Sequence, residues 1–180
     1  MKNQNTKKLA YAALFLALCL VLPMLTGQIP QIGSMLLPMH IPVLLCGLVC
    51  GWQYGAAVGF VAPLLRSVLF GMPPMYPVAI AMAFELLTYG LVIGLVYRRM
   101  AQKGAAGVYA ALLTAMAAGR LVWGGAEVVL LGLGGKAFTA QAFLAGALLN
   151  AVPGIIVQLV LIPAVMAALQ KAGAVKEYAE

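Results

Sequence analysis

Apolar residues occur along the chain in six long stretches, separated by short segments rich in Gly, Pro and charged residues. An α-helix needs about 20 such residues to cross a bilayer. We therefore predict six transmembrane helices, near residues 9–27, 35–52, 54–71, 77–98, 106–133 and 140–170.

The second and third stretches are the least regular. Trp52-Gln53-Tyr54 is a weak break between them, and Pro38, Pro42 and Pro63 interrupt them. Because proline kinks or shortens a helix, we expect short or irregular segments here, buried by neighbouring helices.

Composition agrees with a membrane location. Of the 180 residues, 64% are hydrophobic and 8% are charged, whereas a soluble domain carries about 25% charged residues. The net charge of +7 lies beside apolar stretches rather than in a stripe with aromatics, so we do not expect nucleic-acid binding. The first stretch is too long for the apolar core of a signal peptide. We predict a single-domain, all-α integral membrane protein, a bundle of six transmembrane helices.

The basic residues predict the orientation, because Lys and Arg beside a span are retained in the cytoplasm. With six crossings and a cytoplasmic N-terminus, only Lys136 lies outside. Five crossings would put Lys171 and Lys176 outside as well. We therefore predict that both termini are cytoplasmic, with 172–180 as a tail. The cations inside are then Lys2, Lys7, Lys8, Arg98, Arg99, Lys103, Lys171 and Lys176.

The residue types exclude several chemistries. The chain has one His and no Asp, so no Ser-His-Asp set can form. Gly134-Gly135-Lys136-Ala137 lacks the first Gly and the Ser or Thr of a phosphate-binding loop. The three cysteines lie in apolar stretches, as core thiols do. We expect no catalytic residue, no metal and no cofactor.

Ionisable groups within the membrane are costly, so each is a functional candidate. They are Arg66, Glu85, Arg120 and Glu127. From the rise per residue of a helix, we expect all four to lie in the outer half of the membrane. On the fifth stretch Arg120, Trp123, Gly124 and Glu127 share one stripe, because they recur at helical spacing. We predict an outward-opening pocket between the fourth, fifth and sixth stretches. Its candidate ligand-binding residues are Glu85, Tyr89, Arg120, Trp123, Glu127, Asn150 and Arg66.

An alternative is that Arg66 or Arg120 pairs with Glu85 or Glu127 only to neutralise buried charge. We interpret His40, between Pro38 and Pro42, as a helix-end histidine whose hydrogen bonds are satisfied, and not as a metal ligand.

The outer connections are expected near 28–34, 72–76 and 134–139, where turn residues could order loops that cover the pocket. The candidate gating residues are Gln28, Gln31, Met72, Met75 and Tyr76. The last three could equally be interfacial anchors.

Small residues recur every three or four positions on the first stretch, at Ala10, Ala13 and Ala17. Such a face permits close helix approach in lipid, either to a partner protein or inside the bundle.

Three segments together resemble a known family. They are Ala13-xxx-Ala17, the run from Ile41-Pro42-Val43-Leu44-Leu45-Cys46-Gly47 to Gly51-Trp52-Gln53-Tyr54-Gly55, and Leu64-Leu65-Arg66. The run that begins at Ile41 is similar to an "IPxLLxGxxxGxxxG" block. Over nearly the whole chain, the layout resembles the substrate-binding S component of energy-coupling factor (ECF) vitamin transporters.

The resemblance implies capture of a B-type vitamin or precursor from outside, with a transmembrane coupling subunit and two ATP-binding subunits as partners. It implies that 1–75 faces the coupling subunit, with Ala13 and Ala17 matching the docking motif, and that 76–171 binds the solute. Pocket residues vary with the ligand in that family, so the candidates above stay predictions from position.

The sequence leaves the ligand open. A buried Arg suits a carboxylate, and Trp123 suits a flat ring. Two other functions also stay open. One is a secondary transporter coupled to ions through Glu85 or Glu127, and the other is a membrane scaffold without a solute.

Overall fold

The computed structural model of the chain describes residues 2–26, 35–135, 137, 139–146 and 151–173, which contain helices and no strand. The helices are α1 (Lys2–Val21), α2 (His40–Cys50), α3 (Trp52–Phe70), α4 (Ile80–Met100), α5 (Ala105–Leu133), α6 (Ala140–Leu144) and α7 (Val152–Lys171). A 3-10 turn, Leu22–Thr26, extends α1, a π turn, Met75–Ala79, precedes α4, and a 3-10 turn, Ala101–Lys103, precedes α5. The prediction of an all-helical membrane protein is confirmed.

Five helical segments are long and apolar enough to cross a membrane: Gln4–Leu25, Trp52–Phe70, Met75–Met100, Ala105–Leu133 and Val152–Lys171. They correspond to the first, third, fourth, fifth and sixth predicted stretches. The sixth begins later than predicted, because the short helix α6 is separate from α7. Thr139 caps α6 by accepting the Ala142 N–H at 3.2 Å, and Pro153 lies in the first turn of α7, where its fixed φ favours a helix start.

Within the second predicted stretch, the structure describes the 11-residue helix α2 and, before it, the helical residues Met35 and Leu36. All of α2 except Ile41 and Val49 is buried, so this short helix lies inside the bundle. It ends at Gly51, whose φ of 97° is readily adopted only by glycine. Helix α3 begins at the next residue, and the chain therefore reverses here without a loop.

Helix α4 is central and packs most extensively on α3 and α5. Its backbone touches that of α3, since a Cβ added at Gly55 would lie 2.8 Å from the Gly90 carbonyl oxygen. A Cβ at Gly47 of α2 would also lie 2.8 Å from that oxygen. Gly47, Gly55 and Gly90 thus mark the point where α2, α3 and α4 meet. We call these three residues the glycine contact.

The remaining helices surround this centre. Helix α1 packs on α2 and α3, whereas α7 makes sparse contacts with α5 and α2. Gly119 of α5 lies against the Tyr89 ring of α4, where an added Cβ would be 2.5 Å from Tyr89 Cε1. This close approach brings the next residue, Arg120, to the polar residues of α4.

Candidate solute-binding site

A buried carboxylate on α4 joins polar residues from three helices. Arg120 Nη1 of α5 lies 2.9 Å from Glu85 Oε1, and His40 Nε2 of α2 lies 3.5 Å from the same oxygen. Tyr89 lies one turn after Glu85, and its ring meets His40 edge-on at 5.2 Å between centroids. We call His40, Glu85, Tyr89 and Arg120 the Glu85 cluster.

Local structure explains how these side chains converge. Glu85 and Tyr89 share a face of α4 because they are four residues apart. His40 is the first residue of α2, and its backbone N–H donates to the Leu37 carbonyl at 3.0 Å. The buried imidazole therefore extends from a helix start into the centre of the bundle.

Several polar atoms around this cluster are buried and have no hydrogen-bond partner among the described residues. They are both ring nitrogens of His40 and Nε and Nη2 of Arg120. On α7, Nε2 of Gln158 is likewise buried without a partner among the described residues. Glu85 Oε1 lies at ion-pair distance from His40 and Arg120, but the angles of these contacts are not those of hydrogen bonds. An unsatisfied buried polar group costs about 1–3 kcal/mol. The site therefore favours a molecule that supplies the missing partners.

The Arg120 guanidinium meets Glu85 through Nη1 alone. Its opposite edge, Nε and Nη2, presents two parallel N–H groups that suit a planar acceptor. Arg120 therefore neutralises Glu85, which was one of the alternatives predicted from the sequence. Its Nε and Nη2 edge has no partner among the described residues and can bind another group.

His40 lies at a helix start, as predicted, but its imidazole contacts Glu85 at 3.5 Å without the angles of a hydrogen bond. Neither ring nitrogen makes a hydrogen bond to a described residue, and the imidazole faces Glu85. The sequence signal was its position at the start of a helix between two prolines. Its distance from Glu85 depends on how α2 packs on α4, which spacing along the chain does not reveal.

Arg66 lies elsewhere. Its Nη1 donates to the Leu20 carbonyl of α1, and its guanidinium carbon is 5.2 Å from the centre of the Phe70 ring. Carbonyls at a helix end lack partners within the helix, so Arg66 links α3 to the end of α1. No ion pair joins it to Glu85 or Glu127 in the part of the chain that the structure describes.

Trp123 and Glu127 lie beyond Arg120 along α5. The Trp123 ring stacks on Phe143 of α6, with 6.2 Å between centroids and 26° between planes. Gly124 provides the space for this contact, because an added Cβ would be 2.4 Å from the Phe143 ring. Glu127 is 5% exposed and forms neither a salt bridge nor a hydrogen bond with a described residue.

A shallow, mostly apolar depression of about 280 Å³ lies between α5 and α6. None of the predicted ligand-binding residues lines it. Its walls are Leu121, Gly124, Gly125, Val128, Thr139, Ala140 and Phe143.

The predicted gating residues are described only in part. Gln28 and Gln31 lie outside the described residues, as does the ligand candidate Asn150. Met75 and Tyr76 are exposed, and the Tyr76 hydroxyl donates to the Leu130 carbonyl of α5. Together with Met72, these residues connect α3 to α4, on the side where α5 ends.

The three alanines of the predicted docking face, Ala10, Ala13 and Ala17, are all exposed on α1. Leu9 and Leu14 are exposed beside them, at 62% and 54%. Packing inside the bundle, the alternative for this small-residue face, therefore does not occur among the described residues.

Comparison with known proteins gives one match. The family described as "ECF transporter, substrate-specific component" matches residues 7–167 of the chain. No curated protein and no solved structure matches it.

Proposed function

The chain belongs to the family of substrate-specific components of ECF transporters, and on this premise we propose that it captures a B-type vitamin or vitamin precursor from outside the cell for ATP-driven uptake. Membership makes it a multi-pass protein of the plasma membrane and a transport component rather than an enzyme. Beyond family membership, we propose that the solute is vitamin-like and that ATP supplies the energy for its uptake.

The observation that carries the proposal is the Glu85 cluster with its unsatisfied donors. Polar side chains are rare inside apolar bundles and commonly line a solute path or site. Here donors from α2 and α5 lie against one carboxylate of α4. Ligand pockets have this composition, apolar walls with a few convergent polar groups.

We further propose six membrane crossings with both termini in the cytoplasm. Five long helices alone would put the termini on opposite sides, contrary to the distribution of Lys and Arg. Helix α2 would supply part of the extra crossing. Its 11 residues span about 16 Å at 1.5 Å per residue, roughly half of the hydrocarbon thickness.

The proposed partners are a transmembrane coupling subunit and two ATP-binding subunits. The exposed alanine face of α1 supports docking of the coupling subunit, because small residues let two helices approach closely. In the proposed division, 1–75 faces this partner and 76–171 holds the solute. His40 nevertheless belongs to the Glu85 cluster, so the first half also contributes to the site.

Mass spectrometry of small molecules released from the purified, denatured chain tests capture. We expect one vitamin-like compound in a near-stoichiometric amount. An empty chain that responds to no vitamin in thermal-shift assays would contradict capture.

Reconstitution in proteoliposomes tests the energy source. Uptake should require the coupling and ATP-binding subunits together with ATP. Uptake by the chain alone, abolished when an ion gradient collapses, would instead identify a secondary transporter.

A further inference from the structure

The buried charges of the site do not balance. Arg120 and Glu85 form a pair at 2.9 Å, so the positive charge of Arg120 is already matched. Glu127 is a second carboxylate, and it lies on the same face of α5 as Arg120, seven positions further along. Among the described residues, Glu85 and the Arg120–Glu127 face of α5 together therefore carry one carboxylate in excess.

Glu127 has no ion-pair partner of its own in the part of the chain that the structure describes. It is 5% exposed, and both ion pairs formed by described residues converge on Glu85 instead. The carboxylate oxygens of Glu127 are not among the fully enclosed atoms without a partner, so they stay accessible, and a carboxylate in largely apolar surroundings is stabilised by a cation or by hydrogen-bond donors. This side chain thus lacks what a positively charged group would supply.

The stripe on α5 also gives the dimensions of the site. Glu127 follows Arg120 by seven positions, which is about 10 Å along a helix. Trp123 lies between them on the same face, with its ring held against Phe143. Along α5, the stripe therefore presents the N–H donor edge of Arg120, the Trp123 ring and the Glu127 carboxylate, in that order.

We propose that the captured solute is a cation, and that its positively charged group pairs with Glu127 while a neutral acceptor group binds the free edge of Arg120. This inference rests on the proposed function and narrows its substrate class. A carboxylate on the solute is disfavoured, because it would add a third negative charge beside Glu85 and Glu127.

The test compares three probes of similar size in thermal-shift and equilibrium binding assays on the full, detergent-purified chain. Thiamine is permanently cationic, pyridoxine is neutral and pantothenate is anionic. We expect wild type to bind thiamine in preference to the other two, and Glu127→Gln to weaken that binding at least tenfold. Preferential binding of pantothenate or pyridoxine would overturn the cationic class and leave capture intact.

A second measurement needs no solute. In the solute-free chain, Glu127→Gln removes an unmatched charge, so its Tm should equal or exceed that of wild type. The matched control is Glu85→Gln, which leaves Arg120 without its partner and should lower Tm. A Glu127→Gln variant with a lower Tm than wild type would show that the protein already compensates Glu127, and would overturn the inference even if no probe binds.

Discussion

At the scale of the residue, the site depends on one oxygen atom. Glu85 Oε1 lies within ion-pair distance of both Arg120 and His40, and Glu85 is 2% exposed. Removing one partner of a buried ion pair leaves the other charge without compensation. Glu85 is therefore important for folding whether or not it contacts the solute.

We expect Glu85→Gln to destabilise the chain by about 3–5 kcal/mol, the usual cost of breaking a buried pair. Reversible unfolding in mixed micelles would measure this change. The matched control is the double variant Glu85→Gln with Arg120→Met, which removes both charges and should recover much of the stability. A double variant less stable than Glu85→Gln alone would contradict the assignment of the pair.

The Arg120→Lys variant distinguishes the contribution of Arg120 to stability from its contribution to solute binding. Lysine keeps a positive charge for Glu85 but lacks the planar edge of the guanidinium. We expect a stability close to that of wild type and solute binding weaker by about tenfold or more, equal to about 1.4 kcal/mol. Isothermal titration with the solute recovered from the wild-type chain would measure the affinity. Unchanged affinity would mean that Nε and Nη2 do not contact the solute.

Part of this cluster was predictable from sequence. The spacing of Glu85 and Tyr89, and of Arg120, Trp123 and Glu127, indicates a shared helix face. The partner of each charge was not predictable, because it depends on which helices pack together. The contacts of Arg66 with α1 and of His40 with Glu85 are both of this kind.

At the scale of the element, the glycine contact determines how three helices pack. Gly47 and Gly55 belong to the block that resembles the family pattern, and the structure shows their physical role. A Cβ at Gly55 would lie 2.7 Å from Gly47 Cα and 2.8 Å from the Gly90 carbonyl oxygen. Backbone atoms cannot move aside as a flexible side chain can, so even a methyl group is too large.

We expect Gly55→Ala to cost about 1–3 kcal/mol, the range for overpacking a tight interior. Gly125→Ala on α5 is the matched control, because nothing lies within 4 Å of its added Cβ. There alanine should be neutral or stabilising by up to about 1 kcal/mol through its helix propensity. Thermal unfolding of both variants measures the difference, and equal melting temperatures would contradict the close contact.

Hydropathy predicts the long helices well, because each needs only a sustained apolar stretch. It predicts one continuous helix over 35–52, whereas the structure has α2 over His40–Cys50, with the helical residues Met35 and Leu36 separated from it by a break at 37–39. Apolar composition cannot distinguish a short helix surrounded by protein from a span that faces lipid. Pro38 and Pro42 on either side of His40 were the signs of irregularity in this stretch.

At the scale of the whole molecule, the exposed face of α1 is available to a partner. We expect Ala13→Trp to leave solute binding unchanged and to abolish ATP-driven uptake, because the indole would keep the coupling subunit from approaching. Ala164→Trp, at an exposed position of α7, is the matched control and should transport normally. Normal uptake by the Ala13→Trp variant would remove the docking role of this face.

Helix α7 contacts only α5 and α2 to any extent among the described helices. Displacing it would break fewer contacts than displacing any helix at the glycine contact. Passage to the buried cluster should therefore begin with an outward tilt of this helix, while α2, α3 and α4 move as one body. Amide hydrogen exchange in the solute-free chain should then be fastest in α7 among the long helices and should slow there most when solute binds.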